Sequence, residues 1–124
     1  MTIDDLNARF SRYAEYGPKF TKAVQTVASG SVKEHKFEPS GRTVYTVVGK
    51  YRDEFIDPEK PYCSCSNFFF RVRRGHEETC YHLLSFRIAS ELGSIDRITF
   101  DDEEYDGLVL AIMNDVFTTL ERLK

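Results

Sequence analysis

Long apolar runs are missing from this chain of 124 residues, and the longest falls far short of the ~20 residues that a membrane-spanning helix needs. No basic, apolar leader of the secretory type opens the chain either, so no membrane association is expected. An excess of positive charge is also lacking. Seventeen Lys and Arg stand against 20 Asp and Glu, for a net charge of −3. A protein that coats nucleic acid with its whole surface is therefore excluded, and any nucleic-acid role must rest on a local patch or on a partner. Low-complexity stretches, linker-like segments and internal repeats are absent as well. What remains is 41% hydrophobic and 30% charged, the balance of an ordinary globular domain. We expect one domain over residues 1–124, with a modest core.

Cysteine is scarce too, but its placement is informative. The three cysteines and one histidine read Cys63-x-Cys65, then fourteen residues, then Cys80-x-His82. Four such donors are what a tetrahedral structural zinc needs. With one residue between the members of each pair, both can turn toward one ion from a short backbone segment, and the spacer must fold back to bring the pairs together. A disulfide reading leaves one cysteine over and would close a very short, strained ring at Cys63 and Cys65. A redox reading would want two residues between the cysteines beside a βαβ pattern, which this chain lacks. A Cys80–His82 nucleophile pair has no third orienting group. The expectation is Zn2+ held by Cys63, Cys65, Cys80 and His82. A closed Cys3His shell leaves no open position for substrate, so no enzymatic activity is expected. Thiolates kept free for a metal point to a reducing, intracellular location.

The first 30 residues read as helical. Thr2 caps a helix whose first turn carries Asp4 and Asp5, with Ile3, Leu6, Phe10 and Tyr13 at helical spacing. Gly17-Pro18 breaks it and starts a second helix presenting Phe20, Ala23, Val24 and Val27, which stops near Ser29-Gly30. Residues 31–95 hold a β segment and the metal motif. A weak strand, Val32 to Phe37, is joined through Glu38-Pro39-Ser40-Gly41 to a strong one, Thr43 to Val48. Gly49-Lys50 reads as a tight turn into a strand through Tyr51, Phe55 and Ile56, and Asp57-Pro58 with Lys60-Pro61 delivers the chain to the knuckle. After Cys80 the apolar spacing is helical again, with Leu84, Ile88 and Leu92 on one face and Gly93 as terminator. A helix start at Cys80 favours its thiolate. Residues 96–124 read as a C-terminal helix with a broad stripe of Val109, Ile112, Met113, Val116, Phe117 and Leu120, which must bury against something. The acidic run Asp101, Asp102, Glu103, Glu104 and Asp106 reads as a capped helix start rather than a recruiting patch. The fold class is α+β: a small antiparallel sheet with a Cys3His zinc knuckle, flanked by N-terminal and C-terminal helices.

Arg71, Arg73 and Arg74 are the best local candidates for phosphate contact. Interleaved with Phe68, Phe69, Phe70 and Val72, they could join charge to base stacking. In the competing reading the phenylalanines fill a small core around the zinc and the arginines face solvent. For the phenylalanines the core reading is preferred; for the arginines both stay open, with Glu77 and Glu78 close enough to neutralise them. His76 reads as an exposed loop histidine beside Arg74-Gly75, and His35 as a strand residue outside the motif.

Two Cys/His pairs around a spacer, preceded by strands and opening an apolar helix, resemble the SWIM zinc finger. The segments Tyr62-Cys63-Ser64-Cys65-Ser66-Asn67-Phe68-Phe69-Phe70 and Cys80-Tyr81-His82-Leu83-Leu84 resemble in particular the SWIM proteins of Shu-type complexes. Those are small factors that pair with RecA-family recombinase paralogues and assist homologous recombination. The resemblance implies Cys63, Cys65, Cys80 and His82 as zinc ligands, a heteromeric partner of that kind, and single-stranded or branched DNA as the target of the complex. It also implies a location in cytoplasm or nucleoid in an archaeon, which the short chain suits, or in the nucleus of a eukaryote. An autonomous SWIM module contacting DNA through the arginines is the alternative. The chain departs from the pattern at Tyr81, where such sequences often carry a basic residue, and at Ser66, where they commonly carry proline. Neither departure removes a ligand.

Overall fold

The computed structural model describes residues 2–49 and 52–122, with side chains through residue 117. The expected turn at Lys50, the strand position of Tyr51 and the side chain of Leu120 lie outside that part.

Helix α1 spans Ile3–Arg9 and starts on a reciprocal cap: the Asp5 N–H donates to Thr2 Oγ1 (3.1 Å) and the Thr2 N–H to Asp5 Oδ2 (3.0 Å). It is shorter than the apolar spacing predicts, because residues Ser11–Tyr16 tighten into a 3-10 helix. Leu6 and Phe10 are buried as expected, whereas Ile3 stands exposed. Gly17 at φ 61° makes the break, in a backbone region that suits glycine. Helix α2, Pro18–Ala28, then buries Phe20, Ala23, Val24 and Val27, the four residues its spacing singles out.

The sheet has five strands in the order β4-β3-β2-β1-β5: β1 Val32–Glu38, β2 Thr43–Val47, β3 Glu54–Asp57, β4 Tyr62–Cys63 and β5 Asp96–Asp101. The first four pair antiparallel, with Val32 opposite Val47, Tyr45 opposite Ile56 and Ile56 opposite Cys63. Strand β5 pairs parallel with β1, Lys33 opposite Asp96 through Glu38 opposite Asp101, so the sheet is mixed rather than purely antiparallel. Sequence pattern missed this strand because it buries neither face. It is held at the edge by ion pairs, Lys33 Nζ to Asp96 Oδ2 (2.6 Å) and Arg97 Nε to Glu34 Oε1 (3.0 Å).

Alternation along each strand gives the sheet two different faces. Val32, Tyr45, Val47, Ile56 and Cys63 share the face that packs with α2 and with α3, Tyr81–Leu92, in one core. Gly93 ends α3 at φ 75°, as its position predicts. On the opposite face Phe37 stacks on Phe100 and meets Tyr105 edge-on (centroids 5.6 and 5.1 Å). Tyr105 opens α4, Tyr105–Arg122. The acidic run makes that start as predicted, Asp101 and Glu104 capping each other across a short 3-10 turn. Helix α4 lies over Val44, Phe55 and Tyr62, leaving an apolar cleft of about 370 Å3 between helix and sheet.

Candidate metal centre

The first pair of ligands sits where the sheet ends. Cys63 closes β4, paired with Ile56, and the chain then turns so that Cys65 faces back toward it. Ser64, between the two, is fixed from both sides: its N–H donates to the Phe55 carbonyl (3.0 Å) and its Oγ accepts from the Phe55 N–H (2.8 Å). That hydroxyl in turn donates to Glu54 Oε2 (2.7 Å). Glu54 is held by Arg52 Nε (2.9 Å), and Arg52 Nη1 reaches the Asp115 carbonyl of α4 (2.7 Å). A hydrogen-bonded strut thus runs from the knuckle to the C-terminal helix. Gly49 stands where a Cβ would strike the Arg52 carbonyl, so the close approach of this loop requires glycine.

The spacer folds back through a π-helical turn, Phe68–Val72, whose first N–H donates to Cys65 Sγ (3.3 Å). Amide hydrogen bonds to a ligating sulfur orient it and stabilise its charge. Beyond the turn, Arg71's carbonyl accepts from the His76 and Glu77 N–H groups (2.9 and 3.2 Å). Lys19 of α2 then clamps the returning segment, pairing with Glu77 and donating to the Thr79 carbonyl (2.5 Å), while Asn67 Nδ2 donates to Glu77 Oε2 (3.2 Å). The Lys19 hydrogen bond, followed by that of Asn67, holds the Glu77 carboxyl below its usual pKa. Sequence reading placed Glu77 near the arginines but did not find this clamp, since Lys19 and Glu77 meet across 58 positions of chain and carry no local signature.

This delivers Cys80 to the cap position of α3, with His82 in the first turn. The four ligand residues are buried, at 1, 5, 0 and 7% exposure, and their donor atoms all lie within 4.8 Å of one another. A tetrahedral zinc with bonds of about 2.0–2.3 Å spaces its donors by roughly 3.5 Å, so one ion can reach all four. Two further observations fit a cation here. His82 Nδ1 is buried with no hydrogen-bond partner among the described residues, a cost a native fold accepts when the lone pair has another use. The sulfurs also cannot all ionise beside one another. Hydrogen bonding to Cys65 and Cys80, then burial, pushes the Cys63 thiol far up, while donation from Cys63 and Cys65 pulls Cys80 down. The Leu83 and His82 amides at the start of α3 add to the lowering of Cys80, although no side-chain cap hydrogen bond forms there. Three crowded sulfurs that share protons become three thiolates only against a divalent charge. The donor set, burial and geometry are those of a structural Zn2+ site.

The other sequence candidates fall outside it. His76 is exposed in the loop, and His35 lies on β1 with Nε2 against Thr46 Oγ1 (2.9 Å), both as expected. Burial lowers the His35 pKa. Arg71, Arg73 and Arg74 are exposed around the π turn; Arg71 pairs with Glu77 (3.3 Å), and Arg73 and Arg74 lie over Phe69 and Phe70 (4.5 and 5.8 Å). Of the phenylalanines expected in the zinc-side core, only Phe68 packs there; Phe69 and Phe70 are half-buried and meet each other edge-on at 5.0 Å. The expectation therefore holds for one ring of three.

A small α+β domain closed around a buried Cys3His centre is a zinc-knuckle protein in its architecture. Over 111 residues, 88% of this chain and 71% of the relative, it is 27% identical to the zinc finger SWIM domain-containing protein 7 homolog of Dictyostelium discoideum. No family model and no solved structure matches it. The relative and the Cys3His cluster together support a SWIM-type zinc finger. Among the described residues, no helix is long and apolar enough to cross a membrane.

Proposed function

We propose that the protein is a non-catalytic accessory factor for homologous recombination. It pairs with a RecA-family recombinase paralogue and supports recombinase filament assembly on single-stranded DNA inside the cell, the complex engaging single-stranded or branched DNA. The observation that carries this reading is the buried, four-ligand centre. Its four donors can all close on one ion, and a centre filled by four protein ligands suits a metal that braces a scaffold rather than one that performs a reaction. The likeness of Tyr62 to Phe70 and Cys80 to Leu84 to the SWIM subunits of Shu-type complexes supports the choice of pathway. A net charge of −3 supports dependence on a partner for DNA contact.

One observation favours a second reading. Arg73 over Phe69 and Arg74 over Phe70 present guanidinium–ring pairs at an exposed turn, the combination that stacks bases and meets phosphates. In that reading the module binds DNA by itself.

Affinity purification of the tagged, zinc-loaded protein from its own cells, with nuclease present, separates the two. A stoichiometric RecA-family paralogue that survives nuclease is the expected result, and recovery of nuclease-sensitive DNA-associated proteins alone would overturn it. In vitro, the isolated protein should bind single-stranded DNA only weakly. Tight binding with a steep salt slope that Arg73→Ala with Arg74→Ala abolishes would establish the autonomous module instead.

A further inference from the structure

We propose that α4, together with the cleft beneath it, is a docking surface for a basic amphipathic helix of a different protein chain. The proposal rests on the accessory-factor reading, which requires a partner, and adds the face and the chemistry of contact.

Leu110, Met113 and Phe117 are 63, 44 and 55% exposed. Their spacing of three and four residues sets them in one stripe along the helix. Met113 and Phe117 also stand at the mouth of the cleft, which Val109, Ile112 and Val116 line with them over a floor of Val44, Phe55 and Tyr62. The two apolar surfaces are continuous around α4. A helix apolar on so much of its circumference is ordinarily covered, and a connected exposed patch of this kind marks an interaction site. Eighteen residues give α4 a length of roughly 27 Å, enough to lie along four or five turns of another helix.

Charge identifies the occupant. Asp101 and Glu104 cap the start of α4, as the sequence implies, but with Glu103 and Asp106 they also stand exposed there, an acidic rim beyond what capping needs; from residue 101 to 122 only Arg122 carries the opposite sign. A second copy cannot offset this: packed parallel it brings the same acidic run, and packed antiparallel it offers residues 107–122, whose Asp115, Glu121 and Arg122 leave no positive excess. A partner helix with apolar residues at i, i+3, i+4 and i+7, and Lys or Arg flanking one end, satisfies both the stripe and the acidic rim.

The test is photo-crosslinking with benzoylphenylalanine at position 110 or 113 of the full chain, in its native cells, with the crosslinked segment sequenced. Position 25, exposed on α2, is the control. The expected product from 110 and 113 is a segment of another protein with that apolar spacing and a basic flank. Its yield should fall about tenfold or more in Phe117→Glu, whose melting temperature should match the parent because the site is exposed. Crosslinking to a second copy, to a segment lacking the basic flank, from position 25 only, or not at all from 110 and 113 overturns the proposal. The recombination reading is scored separately by the identity of the captured chain. A RecA-family paralogue caught only at position 25 removes the docking surface and leaves that reading. A basic helix of an unrelated protein caught at 113 does the reverse.

Discussion

On one face of the sheet α2 and α3 cover Val32, Val47 and Ile56 completely, and the metal centre ties that cover to the strand ends. On the other, α4 meets Phe37 through its own Tyr105 and lies over Val44, but leaves a cleft beneath it and an apolar stripe in solvent. Both covers are helices with comparable apolar content, so composition does not separate them. Closure does. Helix α3 is fastened at its first residue by Cys80 and His82, and α2 by the Lys19 clamp, so their apolar faces have only one place to go. Helix α4 is held by the Arg52 contact to the Asp115 carbonyl and, at its start, by Tyr105, which meets Phe37 edge-on and lies under Arg42. Both faces bury residues, Phe37 and Val44 among them on the α4 side, but the face tied down at the metal ligands is closed and the other is open at the cleft.

Removing the metal is the strongest way to break this comparison. Structural zinc contributes on the order of 10 kcal/mol in domains of this kind, comparable to the whole stability of a small protein. Chelation, or Cys63→Ser, should therefore unfold the α2–α3 side cooperatively, seen as loss of helical circular dichroism and a collapse of the melting transition. A mutant that keeps the native melting temperature without zinc would show that the two faces do not differ for the reason given.

Next in size are truncations in the two covers. Ile88→Ala, in the fully buried core, should cost about 2–5 kcal/mol. Val109→Ala, on the cleft side of α4, should cost less than about 1 kcal/mol, because the residue is only half-buried and a void already lies beneath it. Equal losses in urea titrations would mean that the open face is as closely packed as the other.

These contrasts also show how far the sequence could be read. The ligands were legible because each pair is adjacent in the chain and no other cysteine competes. The α2 face was legible because Phe20, Ala23, Val24 and Val27 repeat at helical spacing. Strand β5 was not, since Arg97, Ile98 and Thr99 bury no face and their pairing to β1 is parallel and 63 residues distant. The early end of α1 was hidden because Phe10 and Tyr13 keep an apolar rhythm through a 3-10 segment. The clamp and the strut were invisible for a common reason: Lys19, Glu77, Arg52 and Glu54 are ordinary surface residue types until tertiary structure buries their hydrogen bonds.

The strut gives a smaller effect that sharpens the comparison. Glu54 joins Ser64, between two zinc ligands, to Arg52 and hence to α4. Glu54→Gln keeps the shape but weakens the charge-assisted contact with Arg52, at a cost of about 1–2 kcal/mol. Its expected signature is spread over both faces: faster zinc loss to a chromophoric chelator, and faster amide exchange in α4. If exchange in α4 is unchanged while zinc leaves faster, the carboxylate serves the knuckle alone and α4 is held by its aromatic start.

The smallest effect expected is in the isolated protein carrying Met113→Ala. The side chain is 44% exposed and borders an open cleft rather than a packed core, so stability should change by no more than about 0.5 kcal/mol, measured by thermal melting with zinc saturating. That near-silence is informative only beside Ile88→Ala, since Met113 and Ile88 are both large apolar residues on long helices of one small domain. A loss at Met113 approaching that at Ile88 would mean that α4 is already covered in solution, by a second copy or by closure of the cleft. Sedimentation of the wild-type chain distinguishes these. A silent Met113 leaves the stripe as apolar surface that the folded monomer does not need for its own stability, which is the condition under which a partner can use it.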